Sequence, residues 1–232
     1  MWVSLTIDDD VALVRLDRPA ALNAMTAEFG DEFRAAVESA VGAGVRAIVV
    51  AGSDRAFSVG ADRAVFTQPS APRTAPSGWL CLRDIGVPSI AAVSGHAIGG
   101  GFELALTCDL IIADPSARFS LPEVSLGIIP GMGGVQGVAR AGGTLVARDM
   151  VLTGRVVGAA EAATLGLISR VTEPGALVAT ALEAARRIAQ QPVAAVAAAR
   201  EAVTLVDLPL PNALRAEQAL LAQLRTGSAR PQ

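Results

Sequence analysis

Apolar and polar positions alternate on both sides of an acidic triplet near the N-terminus. Trp2–Ile7 and Val11–Leu16 flank Asp8-Asp9-Asp10 and read as the two strands of a hairpin. Thr26 then stands where it can cap a helix. Phe29, Phe33, Val37 and Ala40 recur at helical spacing behind it, to about Val41, and Gly42 and Gly44 end the run. Ala47–Ala51 is a short continuous apolar stretch, as are Ser89–Val93 after Pro88 and Leu110–Ala113. Runs this short without polar alternation read as strands buried on both faces. Between the last two, Gly99-Gly100-Gly101 leads into a helix over about Phe102–Thr107. Gln68–Ser77, with Pro69, Pro72 and Pro76, has the composition of a mobile loop.

From about Gly131 the periodicity is helical, apart from a short strand near Ile168–Val171. Leu177, Ala181, Leu182, Ala185 and Ile188 mark one amphipathic helix. Others run from Val193 to about Val206 and from about Ala213 to Arg225. No repeat of fixed period is evident. Buried strands alternating with helices, then helices alone, indicate an α/β core followed by a helical part.

The chain has 232 residues, enough for one large domain or two small ones. With 52% hydrophobic and 18% charged residues it can bury a sizeable core. Net charge is −3 and aromatics are only 3%, which disfavours a nucleic-acid binder with a basic face and stacking rings. All 19 basic residues are Arg. The missing lysine excludes a P-loop, a Schiff-base enzyme and an S-x-x-K hydrolase. His96 is the single histidine, so no multi-histidine metal site is expected. Cys81 and Cys108 read as reduced, buried thiols of a cytoplasmic protein. Neither a secretory leader nor a membrane span is expected from the apolar runs.

Three segments carry candidate chemistry. In Arg55–Asp62, Gly60-Ala61 follows a strand-like stretch; it reads as a turn, or as a place where a backbone amide approaches a ligand. In Ser94–Glu103, a glycine run before a helix offers free amides to an oxyanion, or allows close strand–helix packing. It is not G-x-G-x-x-G, so no dinucleotide fingerprint is present. Glu103 sits in the first turn of an apolar helix. Glu123, after Pro122 in Leu121–Val124, starts what reads as a second. Each is a favourable first-turn acid, or a carboxyl whose apolar neighbours fit it for acid/base work. Composition alone does not bring the two together. His96 reads as a packed histidine, because no G-x-S-x-G elbow supplies a nucleophile for it.

Taken in order, these segments resemble the crotonase superfamily, in its enoyl-CoA hydratase/isomerase branch. Arg18-Pro-Ala-Ala-Leu-Asn-Ala24 resembles the opening CoA-binding segment, and Ala56–Asp62 the first oxyanion-hole motif. Ser94–Ala105 followed by Cys108-Asp109 resembles the second. Pro122–Gly134 and Leu152-Thr-Gly154 complete five ordered motifs, and the resemblance runs from about residue 3 to about residue 225. The resemblance implies a spiral of ββα units over 1–172. A helical C-terminal trimerisation region over 173–232 would follow, shorter than the family norm, with trimers often paired into hexamers.

Residue by residue, the resemblance implies an oxyanion hole from the N–H groups of Ala61 and Gly100. Gly100 is then the position where a side chain is expected to disturb the amide. Ala20, Ala21 and Leu22 would line the path of CoA, with Ala61, Asp62 and Arg63 near its adenine and pantetheine. Glu103 and Glu123 would be the catalytic acids, and Gly131 would help hold the attacking water. Arg63 departs from the family, which usually has an apolar residue there. The loop Val65–Trp79 would shape the acyl pocket.

The implied activity is hydration of a 2-enoyl-CoA thioester in fatty acid metabolism. No separate cofactor or metal is expected, since coenzyme A enters with the substrate. The alternatives are an enoyl-CoA isomerase or another crotonase reaction, a non-catalytic acyl-CoA-binding homologue, and, least favoured, a serine hydrolase.

Overall fold

A computed structural model of the chain describes residues 1–62 and 77–227. β1 (Val3–Asp8) and β2 (Val11–Leu16) form the antiparallel hairpin, paired from Val3–Leu16 to Asp8–Val11. The first strand runs one residue into the acidic triplet, and Asp9, at φ 50°, turns the chain. α1 (Ala27–Gly42) starts at Thr26, whose hydroxyl accepts the Phe29 N–H at 3.1 Å. Its Phe29, Phe33, Val37 and Ala40 are fully buried, as their spacing implied. Gly30 lies on the same face because Trp79 packs there: a Cβ on Gly30 would stand 2.7 Å from the indole nitrogen. That nitrogen donates to the Thr26 carbonyl at 3.0 Å.

Two sheets follow from β3 (Ala47–Ala51), β4 (Ala56–Ser58), β5 (Ser89–Val93), β6 (His96–Ile98), β7 (Leu110–Ala113), β8 (Arg118–Ser120), β9 (Val157–Gly158) and β10 (Arg170–Val171). The large sheet has the order β1-β2-β3-β5-β7-β10 and is parallel beyond the hairpin. The second has the order β4-β6-β8-β9. The chain visits the large sheet, then the second, then a helical turn: β5, β6 and α2 (Gly100–Thr107), then β7, β8 and the 3-10 turn Glu123–Leu126. This is the expected ββα winding.

The apolar runs are continuous because both faces of the large sheet are covered. In β3, Ile48 and Val50 enter the main core, while Ala47, Val49 and Ala51 enter a second core. That second core is completed by α6 (Leu177–Ala189), through Leu177, Ala181 and Ala185.

Some boundaries differ from the sequence reading. α2 begins at Gly100, two residues before Phe102, because the glycines themselves take up the first turn. Glu123 opens a 3-10 turn rather than an α-helix, with Pro122 at its cap. The region read as helical after Gly131 holds α3 (Gly134–Gly142), α4 (Thr144–Thr153) and α5 (Ala159–Thr164), but also β9, which pairs antiparallel with β8. His96 is exposed on β6 rather than packed, and Cys81 is only half-buried, while Cys108 is buried.

α7 (Val193–Thr204) and α8 (Leu210–Thr226) bury no residue. Arg200 ties α7 to Asp109 at 2.9 Å, and Asp207 beyond it pairs with Arg140 at 2.8 Å. Among the described residues no helix is long and apolar enough to cross a membrane, and no group of ligating side chains could hold a metal ion. The proline-rich segment, apart from Ser77, lies outside the described residues.

Candidate active site

The three glycines at the start of α2 serve three different ends. Gly99 caps the helix at φ 54°, and its N–H bonds the Ser120 carbonyl at 2.8 Å. A Cβ on Gly101 would collide with the Ser58 carbonyl oxygen, so Gly101 lets the helix start rest on β4. Gly100 is less confined: a Cβ there would press on Met25 Sδ at 3.3 Å, which would have to give way slightly. The harder steric limits fall on its neighbours, Gly99 and Gly101. What Gly100 contributes is an N–H that donates to no acceptor among the described residues. Close packing and a free amide are both realised, one residue apart.

Ala61 supplies a second free amide beside it. The Met25 N–H donates to the Gly60 carbonyl at 2.8 Å and the Asp62 N–H to the Met25 carbonyl at 2.9 Å. These alternate bonds of a parallel bridge leave the Ala61 N–H facing the other way, without an acceptor among the described residues. Gly60, at φ 79°, makes the approach possible, since a Cβ there would stand 2.9 Å from the Gly100 nitrogen. A Cβ on Gly100 would in turn lie 3.8 Å from the Ala61 nitrogen. Two N–H groups are thus held side by side, one of them at a helix N-terminus, where backbone dipoles favour negative charge.

Arg18, Asn23 and Ser58 support this pair. Leu22 and Asn23 both have left-handed backbones, at φ 51° and 56°. Asn23 is fully buried, and its side-chain amide donates to the Ala56 and Phe57 carbonyls at 3.0 Å each. Its oxygen accepts the Arg18 N–H at 2.8 Å. Ser58 donates to the Asn23 carbonyl at 2.8 Å and accepts the Gly60 N–H at 3.1 Å. Arg18 pairs with Asp62 at 2.8 Å, donates to the Ala24 carbonyl at 2.8 Å and lies over the Trp2 ring. These contacts fasten the 18–25 segment to the 56–62 segment. Ala20, Ala21 and Leu22 lie on this edge and are not buried. Arg63 lies outside the described residues.

Both acids reach the same place. Glu103 is 3% exposed, and its Oε1 accepts N–H groups from Met132 at 2.7 Å and Gly134 at 2.8 Å. Gly133, at φ 97° between them, turns the backbone so that both amides face one oxygen. Gly134 has no room for a side chain, since a Cβ would stand 2.8 Å from Glu103 Cγ. Gly131, next in this loop, is exposed, and its N–H has no acceptor among the described residues.

Glu123 is 8% exposed, and its Oε1 lies 2.9 Å from where a Cβ of Gly99 would be. Its Oε2 is buried without a hydrogen-bond partner among the described residues. Burial, with a smaller contribution from the nearby Glu103 charge, raises its pKa to about 7. A carboxyl that holds its proton near neutral pH thus lies beside Gly99, with a second carboxyl, fixed by two amides, close enough to act on it electrostatically.

Known proteins resemble this chain in sequence and in fold. Residues 6–229 match the family model for enoyl-CoA hydratase/isomerase. The probable enoyl-CoA hydratase of Rhizobium meliloti is 44% identical over 92% of this chain and 86% of its own length. The 2,3-dehydroadipyl-CoA hydratase of Escherichia coli is 37% identical over 83% of this chain and 77% of its own. The structure of an enoyl-CoA hydratase subunit from Geobacillus kaustophilus superposes with a TM-score of 0.89 at 36% identity, over 97% of this chain and 90% of that one. A Thermobifida fusca structure solved in complex with CoA superposes with a TM-score of 0.85 at 33% identity, over 99% and 95% of the two chains. The winding of the sheets, the order of the glycine motifs and a match over nearly the whole length agree: the chain belongs to the enoyl-CoA hydratase/isomerase family.

Proposed function

We propose that the protein adds water across the 2,3 double bond of a 2-enoyl-CoA thioester. The observation that carries this reading is a pair of neighbouring buried carboxyls, one of them against Gly99, together with two adjacent amides that have no acceptor among the described residues. The thioester oxygen sits against the Ala61 and Gly100 N–H groups, which strengthen their hold as enolate charge develops on it. Ala20, Ala21, Leu22 and Asp62 line the edge along which CoA lies. Glu103 takes a proton from a water held by the Gly131 N–H, and the C3–O bond forms as the double-bond electrons move to the thioester oxygen. When the enolate collapses, C2 takes the proton of Glu123. The proton left on Glu103 returns through solvent to Glu123 before the next turnover. Amides and carboxyls carry every step, and coenzyme A arrives as part of the substrate.

The pH dependence tests these roles. Glu123 must be protonated at the start, so kcat/KM for hydration should fall as pH rises through about 7. A flat profile from pH 5 to 9 would contradict the role. Stability follows the same group. Its pKa rises from 4.5 to about 7 on folding, so the folded protein binds the proton more tightly and loses stability as pH rises through that window. The Tm of Glu123→Gln relative to wild type should be higher at pH 8 than at pH 5.

Assembly is part of the proposal. Val193, Val203, Val206 and Leu210 of the C-terminal region are 57–78% exposed. So much apolar surface favours association, and we read it as the face of a homotrimer or dimer of trimers. Light scattering at working concentration should give three or six chains; a monomer would contradict it.

A further inference from the structure

The loop that holds Glu103 is itself held from outside. Met132 donates its N–H to Glu103 Oε1, while its carbonyl, on the other side of the residue, accepts from a terminal guanidinium nitrogen of Arg83. Arg83 ends the 3-10 turn Ser77–Arg83 that precedes β5 and belongs to none of the glycine or acid motifs. Among the described residues it is the hydrogen-bond partner of that carbonyl. The same guanidinium lies against Gly133, where a Cβ would collide with Nη2. A loop pivoting on a glycine at φ 97° has unusual freedom to rotate the 132–133 peptide. The 132–133 peptide joins the two units that carry the Met132 and Gly134 N–H groups, so a displacement of the loop at this point would draw both amides off the carboxylate. A charge-assisted bond to the Met132 carbonyl opposes it.

We propose that Arg83 is a positioning residue for hydration: by pinning the Met132 carbonyl it keeps two amides aimed at Glu103 and so fixes where that carboxylate meets the attacking water. The inference rests on the reading of Glu103 given above. Arg83 acts through the loop and touches no substrate atom, so its removal should change kcat rather than KM.

The experiment compares wild type, Arg83→Met, Arg83→Lys, Glu103→Gln and the double variant Arg83→Met/Glu103→Gln with a short 2-enoyl-CoA. Arg83→Met keeps an apolar stem and loses the donor. Its kcat should fall about tenfold, the scale of a modest misplacement of a catalytic group, with KM within about twofold and Tm within a few degrees. Arg83→Lys retains a cationic donor and should recover much of the loss. In the Glu103→Gln background, Arg83→Met should cost little more, because both changes act on one element. An unchanged kcat in Arg83→Met, a raised KM with kcat kept, fully additive losses, or a loss of Tm without rescue by Lys would each overturn the proposal. Full turnover by Glu103→Gln would remove the reading of Glu103 and this inference together. An impaired Glu103→Gln beside an unimpaired Arg83→Met would remove the inference alone.

Discussion

A Gly100→Pro protein should fold and assemble like wild type and lose at least about 10²-fold in hydration turnover, roughly 2.7 kcal/mol of transition-state stabilisation. Gly100 is the first residue of α2, with Gly99 as its cap. That is the helix position where proline is best tolerated, since an amide there has no intrahelical acceptor. The substitution therefore removes the N–H and sets the ring Cδ where its hydrogen pointed, while leaving the helix start intact. Gly100→Ala is the matched control. Its methyl would meet Met25 Sδ at 3.3 Å, a contact a flexible thioether can relieve, and the amide stays. Activity largely kept by Ala and lost by Pro, at similar Tm and oligomeric state, identifies the amide as the working group. An active, folded Gly100→Pro protein would show that this N–H is not an oxyanion donor.

Glu103→Gln and Glu123→Gln should each lower hydration by at least about 10²-fold, with CoA-thioester binding nearly unchanged. In Glu103→Gln the side-chain oxygen can still accept from the Met132 and Gly134 amides, which lie at 2.7 and 2.8 Å in the wild type. The loss would then be one of proton transfer rather than of structure. At position 123 the carboxyl is buried beside Gly99, and the amide keeps its shape while removing the transferable proton. Steady-state rates and product-inhibition constants measured on both variants check this. If Glu103→Gln turns over normally, two-acid hydration is wrong, and a double-bond shift needing one acid becomes the better account.

How much of this was legible in the sequence depended on the length of each signal. The face of α1, the doubly buried runs of β3, β5 and β7, and α6 were visible because periodicity or unbroken apolarity extended over four or more residues. The second sheet was not, because β4, β6 and β8 are three residues each and carry no alternation to read. The site showed the reverse pattern. Glycine motifs marked Ala61, Gly100 and Glu103 from a distance, yet local sequence could not place Glu123 beside Gly99, since that contact is made by the return of the chain through β8. Asn23 and Arg83 escaped for a different reason. Their roles lie in hydrogen bonds to backbone carbonyls far along the chain, and a carbonyl leaves no mark in the sequence. A left-handed Leu22-Asn23 pair is the one local hint, because Asn tolerates that conformation better than most residues.

The central claim is that these two acids and two amides add water to a conjugated thioester. The most direct measurement incubates the purified wild-type protein with short- and long-chain 2-enoyl-CoA thioesters, follows loss of the conjugated double bond and identifies the product. The account predicts turnover to the 3-hydroxyacyl-CoA for at least one chain length. No turnover at any length, or migration of the double bond without incorporation of water, would contradict it.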